Sequence, residues 1–406
     1  MDNSRSATME SPVESIAIAD YFIAGIEQFM TPALAIYPAQ VEHNIQATRR
    51  LLGGDVNRWR PHVKTAKLAN IIELLVAHNI VNMKCATTLE LLVACEAGAK
   101  DILVAYPNVG SRAARVREIA AAFPKVAVSA LADSAESVSQ CAGGRVDLFI
   151  DVNPGMDRTG IDQNREVEIL QLARSIRQHG IRFRGLHYYD GHLREENLDA
   201  RTANAHRGHA HLMPLIEKLR QQGTAVEEVI TSGTPSFPCA LSYRPFATSD
   251  FIHRISPGTV VYSDLTSLAQ LPAEFGYRPA ALVIATVVSR PASDVITCDA
   301  GHKTVSADAG YPNCAILGWP NLEPLHASEE HLPLRVHGNR IPKIGEILHL
   351  VPKHVCPTVN NFDHALLVDG GKVVRVAPVT ARGREGPDMT HSSPGRLAPA
   401  GAARLA

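Results

Sequence analysis

Between positions 31 and 262 the sequence switches repeatedly between two hydrophobic periods, and this alternation constrains the fold more than any other feature. Short apolar runs of strand length stand at 33–37, 62–64, 82–86, 102–106, 126–131, 148–152, 184–188 and 229–231. Between them lie segments such as 68–78, 88–97, 113–122 and 166–179, apolar at helical spacing and rich in good helix formers. Eight β-α alternations in roughly 230 residues predict a closed (β/α)8 TIM-type barrel. An open doubly wound sheet is the competing architecture, but no Gly-x-Gly-x-x-Gly follows the first strand.

The pattern changes near position 276. Runs at 281–288, 294–299, 335–336, 346–351 and 365–374 read as strands separated by Gly, Pro and Asn turns. The expected organisation is a barrel over 29–275 and a smaller β domain over 276–382. Segment 1–28 is expected to pack on that second domain. The tail 383–406, rich in Gly, Pro, Ala and Ser, is expected to be disordered. A chain of 406 residues is long enough for these two units. Its formal net charge of -1 offers no electrostatic footprint for nucleic acid or an acidic membrane surface. Seven scattered cysteines suit a reducing compartment better than a disulfide framework. Positions 1–20 show no basic segment followed by a long apolar run, so the cytoplasm is the expected address.

Candidate chemistry concentrates at strand ends. In Arg60-Pro61-His62-Val63-Lys64-Thr65-Ala66-Lys67, Lys64 falls at a strand's C-terminal end, where barrel active sites lie. An amine there can form a Schiff base with an aldehyde cofactor, although Lys67 and Lys84 compete for the role. The segment 151–160 places Arg158 in a turn, where it could donate to a phenolate oxygen or simply pair with Asp157. Ser232, Gly233 and Thr234, and later Gly258 and Thr259, sit in two strand-to-loop segments whose backbone N–H groups suit a phosphate. His187, Tyr188 and Tyr189 follow another strand, where a ring could stack on a pyridine or act as a base; barrel-mouth packing is the plainer reading. His354 and Cys356 would point two soft metal ligands to one side of a strand. Two ligands do not close a structural zinc site, but an incomplete shell is what a catalytic metal needs. Ser328, Glu329, Glu330 and His331 form a further polar cluster.

With these residues in order, the chain resembles the D-threonine aldolase and D-serine dehydratase family of fold-type III pyridoxal-phosphate enzymes, related to alanine racemase in the barrel. The resemblance covers about 29–382 and rests most on 60–67, 151–161, 185–192, 256–262 and 354–363. It implies Lys64 as the Schiff-base lysine, Arg158 at the cofactor's ring oxygen, and Ser232, Gly233, Thr234, Gly258 and Thr259 at its phosphate, with Tyr188 also at the cofactor. It implies His354 and Cys356 as ligands of a divalent metal, and a homodimer. D-threonine aldolases place a carboxylate where this chain has Cys356, whereas dehydratases place a cysteine. Thiolate plus imidazole favours zinc over manganese or magnesium. The expectation is therefore a pyridoxal-phosphate- and zinc-dependent lyase on D-3-hydroxy amino acids. Dehydration of D-serine or D-threo-3-hydroxyaspartate leads; retro-aldol cleavage, with His187 as base, is the alternative. A racemase or a non-catalytic cofactor-binding protein ranks below both, since neither needs a metal pair.

Overall fold

Strands covered by helices on one side and packed side chains on the other must be buried on both faces, and most residues of the barrel strands are, the charged ones among them included. The computed structural model of the protein describes residues 16–386. In chain order the first strands are β1 (Ala33–Ile36), β2 (Asn82–Cys85), β3 (Asp101–Pro107), β4 (Ala127–Ala132), β5 (Val146–Asn153), the short β6 (Ile161–Asp162), β7 (Phe183–Tyr188), β8 (Glu228–Thr231) and β9 (Ile252–Ile255). One sheet runs β2-β3-β4-β5-β7-β8-β9, every pairing parallel, with β6 appended to β5. Segment 59–62 closes it. Trp59 bridges Ile255 of β9, and His62 bridges Lys84 of β2.

The chain then forms β10 (Ala281–Ala292), β11 (Val295–Cys298), β12 (Cys314–Ile316), β13 (Leu322–Pro324), β14 (Leu332–Val336), β15 (Ile347–Pro352), β16 (His364–Asp369) and β17 (Lys372–Pro378). These belong to a second sheet ordered β13-β14-β11-β10-β1-β16-β17, with β15 paired to β10 and β12. One expectation is corrected here. The run at 33–37, read as the first barrel strand, supplies β1 at the middle of the second sheet, antiparallel to β10 and parallel to β16. Leu34, Ala35 and Ile36 are buried, which suits the middle of either sheet, so periodicity could not assign the run.

A buried charge cluster holds the closing segment in place. Arg60 is fully buried, and its guanidinium donates to Glu228 at 2.9 and 3.0 Å and to Asp101 at 3.1 and 2.9 Å. Arg184 of β7 reaches the same two carboxylates at 2.8 and 3.1 Å, and Arg254 of β9 also pairs with Glu228. Burial alone would raise the Asp101 carboxyl, but Arg60 and Arg184 hold it well below the usual carboxylate range. Asp101 and Glu228 open β3 and β8, so the cluster fills the N-terminal end of the barrel. Gly185 permits the crowding there. Its φ is 149°, and a Cβ would come within 1.9 Å of the Glu228 carbonyl oxygen.

The two sheets are laced together beside this closure. The Lys67 ammonium donates to Glu90 at 2.9 Å and to the Ala381 carbonyl at 3.2 Å, and the Ala381 amide returns a bond to the Lys67 carbonyl at 2.9 Å. At the start of the described chain, the Ala24 amide donates to Gly371 at 2.8 Å and the Tyr21 hydroxyl to Pro279 at 2.8 Å. Glu385 pairs with Arg115 at 2.8 Å, while the rest of the tail, 387–406, and positions 1–15 lie outside the described residues.

Replacing Arg60 by Met would leave Asp101 and Glu228 buried with less compensation. Unfolding free energy measured in urea is expected to fall by about 3–5 kcal/mol. A loss below about 1 kcal/mol would show that the cluster does not hold the closure.

Candidate functional site

The C-terminal ends of the barrel strands surround a cavity of about 430 Å³. Lys64 reaches it from the turn that follows the closing segment, and it is half-buried. The Val63 amide donates to the Lys84 carbonyl at 2.8 Å, which pins this turn to β2. The loop after β9 lies directly on it. A Cβ on Gly258 would meet the His62 carbonyl oxygen at 2.5 Å, so only glycine allows the approach.

The loop after β8 faces the same space. Ser232 has a φ of 60°, and its hydroxyl is buried without a partner. Gly233, Thr234, Gly258 and Thr259 all line the cavity. The Ser236 hydroxyl accepts from the Gly233 amide at 3.3 Å and donates to Asp190, which fixes the loop from behind. An orphan hydroxyl among small residues on two converging loops fits a phosphate. With the amine of Lys64 in the same cavity, the residues fit pyridoxal phosphate.

Arg158 also lines the cavity, its guanidinium 4.8 Å from the centre of the Tyr189 ring. Three expected positions are not brought to the wall: Ser232, which stands just behind Gly233, Tyr188 and His187. Tyr188 donates to Gln163 at 2.9 Å, and its hydroxyl packs on Gly208 of the helix Leu198–Gln221, so Tyr189 is the ring that faces the cavity. His187 lies behind Lys84. Its Nδ1 is 2.7 Å from Asp151 and its Nε2 3.4 Å from the Lys84 amine. Burial, then the Lys84 charge, lower the imidazole's pKa, so the ring is neutral. Burial first, then Lys64, bring the Lys84 amine down to about 7. Lys67, tied to Glu90 and Ala381, does not reach the cavity.

His354 and Cys356 both reach the cavity, but not by strand alternation. His354 caps the helix Val355–Asn360, and Cys356 lies in its first turn. The Val355 amide donates to Asp264 at 2.9 Å, anchoring that turn. Cys356 Sγ is 3.0 Å from the Thr65 hydroxyl and 3.7 Å from that of Thr259, placing the thiol between the Lys64 turn and the loop after β9. His354 Nδ1 is 2.6 Å from Asp308. Burial would lower this imidazole's pKa, but Cys356 and Asp308 outweigh it and hold it up at about 9. Burial would likewise raise the thiol, and His354 reverses that. Each of the two side chains thus favours the charged form of the other, and a soft divalent metal would enter by displacing the proton.

Among the described residues no group of three or more His, Cys, Asp or Glu stands ready to hold a metal. Two donors leave positions for substrate and water, as a catalytic zinc requires. Asp308, on the loop between β11 and β12, had no recognisable spacing to His354. Glu329 and Glu330 pair with the exposed Lys303 at 2.6 and 3.2 Å and do not line the cavity.

This geometry agrees with the comparisons. The family model "Alanine racemase, N-terminal domain" matches residues 36–265, more than half of the chain, and "Putative serine dehydratase domain" matches 280–368. The chain belongs to the alanine racemase N-terminal domain family, and its barrel and second sheet form an alanine-racemase-like fold. It is 29% identical to a D-threonine aldolase of Arthrobacter sp over 87% of this chain and 93% of that protein. It is 25% identical to a D-threo-3-hydroxyaspartate dehydratase of Delftia sp. (strain HT23), over 84% and 95% respectively. The crystal structure of D-threonine aldolase from Filomicrobium marinum superposes with a TM-score of 0.79 at 27% identity, covering 88% of this chain and 97% of that one. The resemblance drawn from the residues holds. Among the described residues, no helix is long and apolar enough to cross a membrane.

Asp308 orients the imidazole that would meet the metal, so Asp308→Asn is expected to weaken zinc affinity roughly 10–100-fold, read by competition with a chromophoric chelator. Unchanged affinity would show that the carboxylate plays no part in the site.

Proposed function

We propose that this protein is a pyridoxal-phosphate- and zinc-dependent lyase acting on D-3-hydroxy amino acids, with D-serine or D-threo-3-hydroxyaspartate dehydration as its reaction. The observation that carries the reading is the thiol–imidazole pair Cys356 and His354 beside the Lys64 turn, with Thr65 touching the sulfur. Names of relatives supply the substrate class: a D-threonine aldolase and a D-threo-3-hydroxyaspartate dehydratase.

In this reading the two loops present backbone N–H groups to the phosphate, and Arg158 donates to the ring oxygen. Lys64 provides the amine that attaches the cofactor and, once exchanged for the substrate amine, is the nearby base for the Cα proton. Pyridoxal phosphate, when bound, supplies the electron sink for the charge left at Cα. Zinc on His354 and Cys356 would polarise the β-hydroxyl and ease its departure. Asp308 keeps the imidazole turned toward that ion. The products would be a 2-oxo acid and ammonia.

Retro-aldol cleavage to glycine and an aldehyde is the second reading, favoured by the higher identity to the D-threonine aldolase. Cys356 weighs against it, because harder ions prefer a carboxylate at that position. His187, enclosed between Asp151 and Lys84, would not reach the hydroxyl proton directly.

Incubation of the zinc-loaded holoprotein with D-serine is expected to release pyruvate and ammonia, with little glycine from D-threonine. Glycine and acetaldehyde as the main products of D-threonine would replace dehydration by aldol cleavage. Borohydride should fix the cofactor on Lys64, and Lys64→Ala should abolish both the fixed label and turnover. A label mapped to Lys84 would move the attachment site.

A further inference from the structure

Lys84 is the one cavity amine that the proposed chemistry leaves without a task. It is the third residue of β2 and only 2% exposed, yet it lines the cavity. Its backbone is fixed on both sides of the closure, the amide donating to Pro61 at 2.9 Å and the carbonyl accepting from Val63 at 2.8 Å. Its amine is fixed as well. Asp151 is a carboxylate, because the bonds from His187 and Thr159 outweigh the burial that would raise it. The neutral His187 ring therefore carries its proton on Nδ1, facing Asp151, and offers the Nε2 lone pair to Lys84.

What this amine lacks is an anion. Among the described residues no carboxylate lies within ion-pair distance of it, and Asp151 stands behind the imidazole. The charged groups that bear on it are Arg60 from the closing segment, Lys64 from the turn that follows it, Arg158 from the loop after β5, and Asp151; His187, His62 and Tyr189 are its titratable neighbours. The balance is positive, so a buried ammonium there is costly until an anion arrives. The phosphate is not that anion, since its loops begin at Ser232, and the Tyr189 ring lies against Gly233 on one side and 5.5 Å from Lys84. Arg194 is exposed and turned to the Gly191 carbonyl at 3.3 Å.

We propose that Lys84 is the residue that receives the α-carboxylate of the amino-acid substrate, taking up a proton as it does so, with His187 and Asp151 holding its amine in place. The inference rests on the reading that a D-amino acid binds in this cavity. The proton comes from solvent onto the Nζ lone pair, and no bond of the substrate breaks. The free amine sits at about 7, and a bound carboxylate raises it. Carboxylate affinity is then full below that pH and weakens about tenfold per pH unit above it, until the pKa of the bound state is reached.

The test uses the full-length, cofactor- and zinc-loaded protein and D-alanine, which has no β-hydroxyl to lose. Binding is followed by the shift of the visible band between pH 6 and 9, and proton uptake by calorimetry in buffers of different ionisation enthalpy. The unaltered protein should bind about fivefold more weakly at pH 8 than at pH 7. Lys84→Met should bind at least about tenfold more weakly at pH 6.5, without that break. Lys84→Arg should keep the affinity, stay flat across the range and take up less proton than the unaltered protein, because guanidinium remains charged. Ethylamine, which lacks a carboxylate, should bind the unaltered and Lys84→Met proteins alike. Normal D-alanine binding by Lys84→Met would overturn the assignment, as would an equal loss for ethylamine, which would mean that Lys84 serves the cofactor. Failure of the unaltered protein to bind D-alanine at all would overturn the lyase reading and this assignment together.

Discussion

The site depends on one buried interaction, the grip of Asp101 and Glu228 on the Arg60 guanidinium. The segment 59–62 is too short to hold its place by ladder bonds alone, having one bridge to β9 and one to β2. Burying three guanidiniums and two carboxylates is costly unless they are hydrogen-bonded, and here Arg60 and Arg184 each reach both acids, while Arg60 also donates to the Met83 carbonyl at 3.2 Å. Such a cluster tolerates little displacement. It therefore sets the height and direction of the turn that carries Lys64 and Thr65 four and five residues on, and with them the amine and the hydroxyl that touches Cys356.

Above that rigid floor, the cavity is assembled by close backbone approaches. Gly258 against His62 brings the late loop onto the Lys64 turn, and Gly233 against the Tyr189 ring brings the other loop to the same wall. The second sheet contributes from outside the barrel. Its strand β15 ends in the turn that delivers His354 and Cys356, and the Lys67–Ala381 bonds hold that domain against the barrel. Lys67 was thus a structural tie among three candidate lysines, and the distinction lies in which carbonyls and carboxylates surround each amine.

The cavity's electrostatics follow from the same construction. Lys64, Lys84 and Arg158 converge from three elements, while the acids that could neutralise them are committed elsewhere: Asp151 to His187 and Thr159, Asp264 to a helix start, and Asp308 to His354. An excess of positive charge in an enclosed space attracts anionic groups, and phosphate, phenolate and carboxylate are those of the proposed cofactor and substrate.

The amino-acid sequence alone determined the barrel, the lysine turn and the two small-residue loops, because each is written in local period or composition; it offered His354 and Cys356 as a pair by strand alternation, whereas a helix start brings them together. Tertiary structure decided the rest. The uniformly apolar run at β1 carried no sign of which sheet it would join, since burial on both faces erases the alternation that distinguishes them. Whether Tyr188 or Tyr189 faces the cavity depended on where β7 ends, a matter of one residue, and one residue reverses the side. Asp308 and His354 lie 46 positions apart with no periodic relation, and Arg60 meets Glu228 across 168. Such partners are chosen by the closure of the barrel and the docking of the second sheet, in which residues distant along the chain share one low-dielectric space and must satisfy each other's charge.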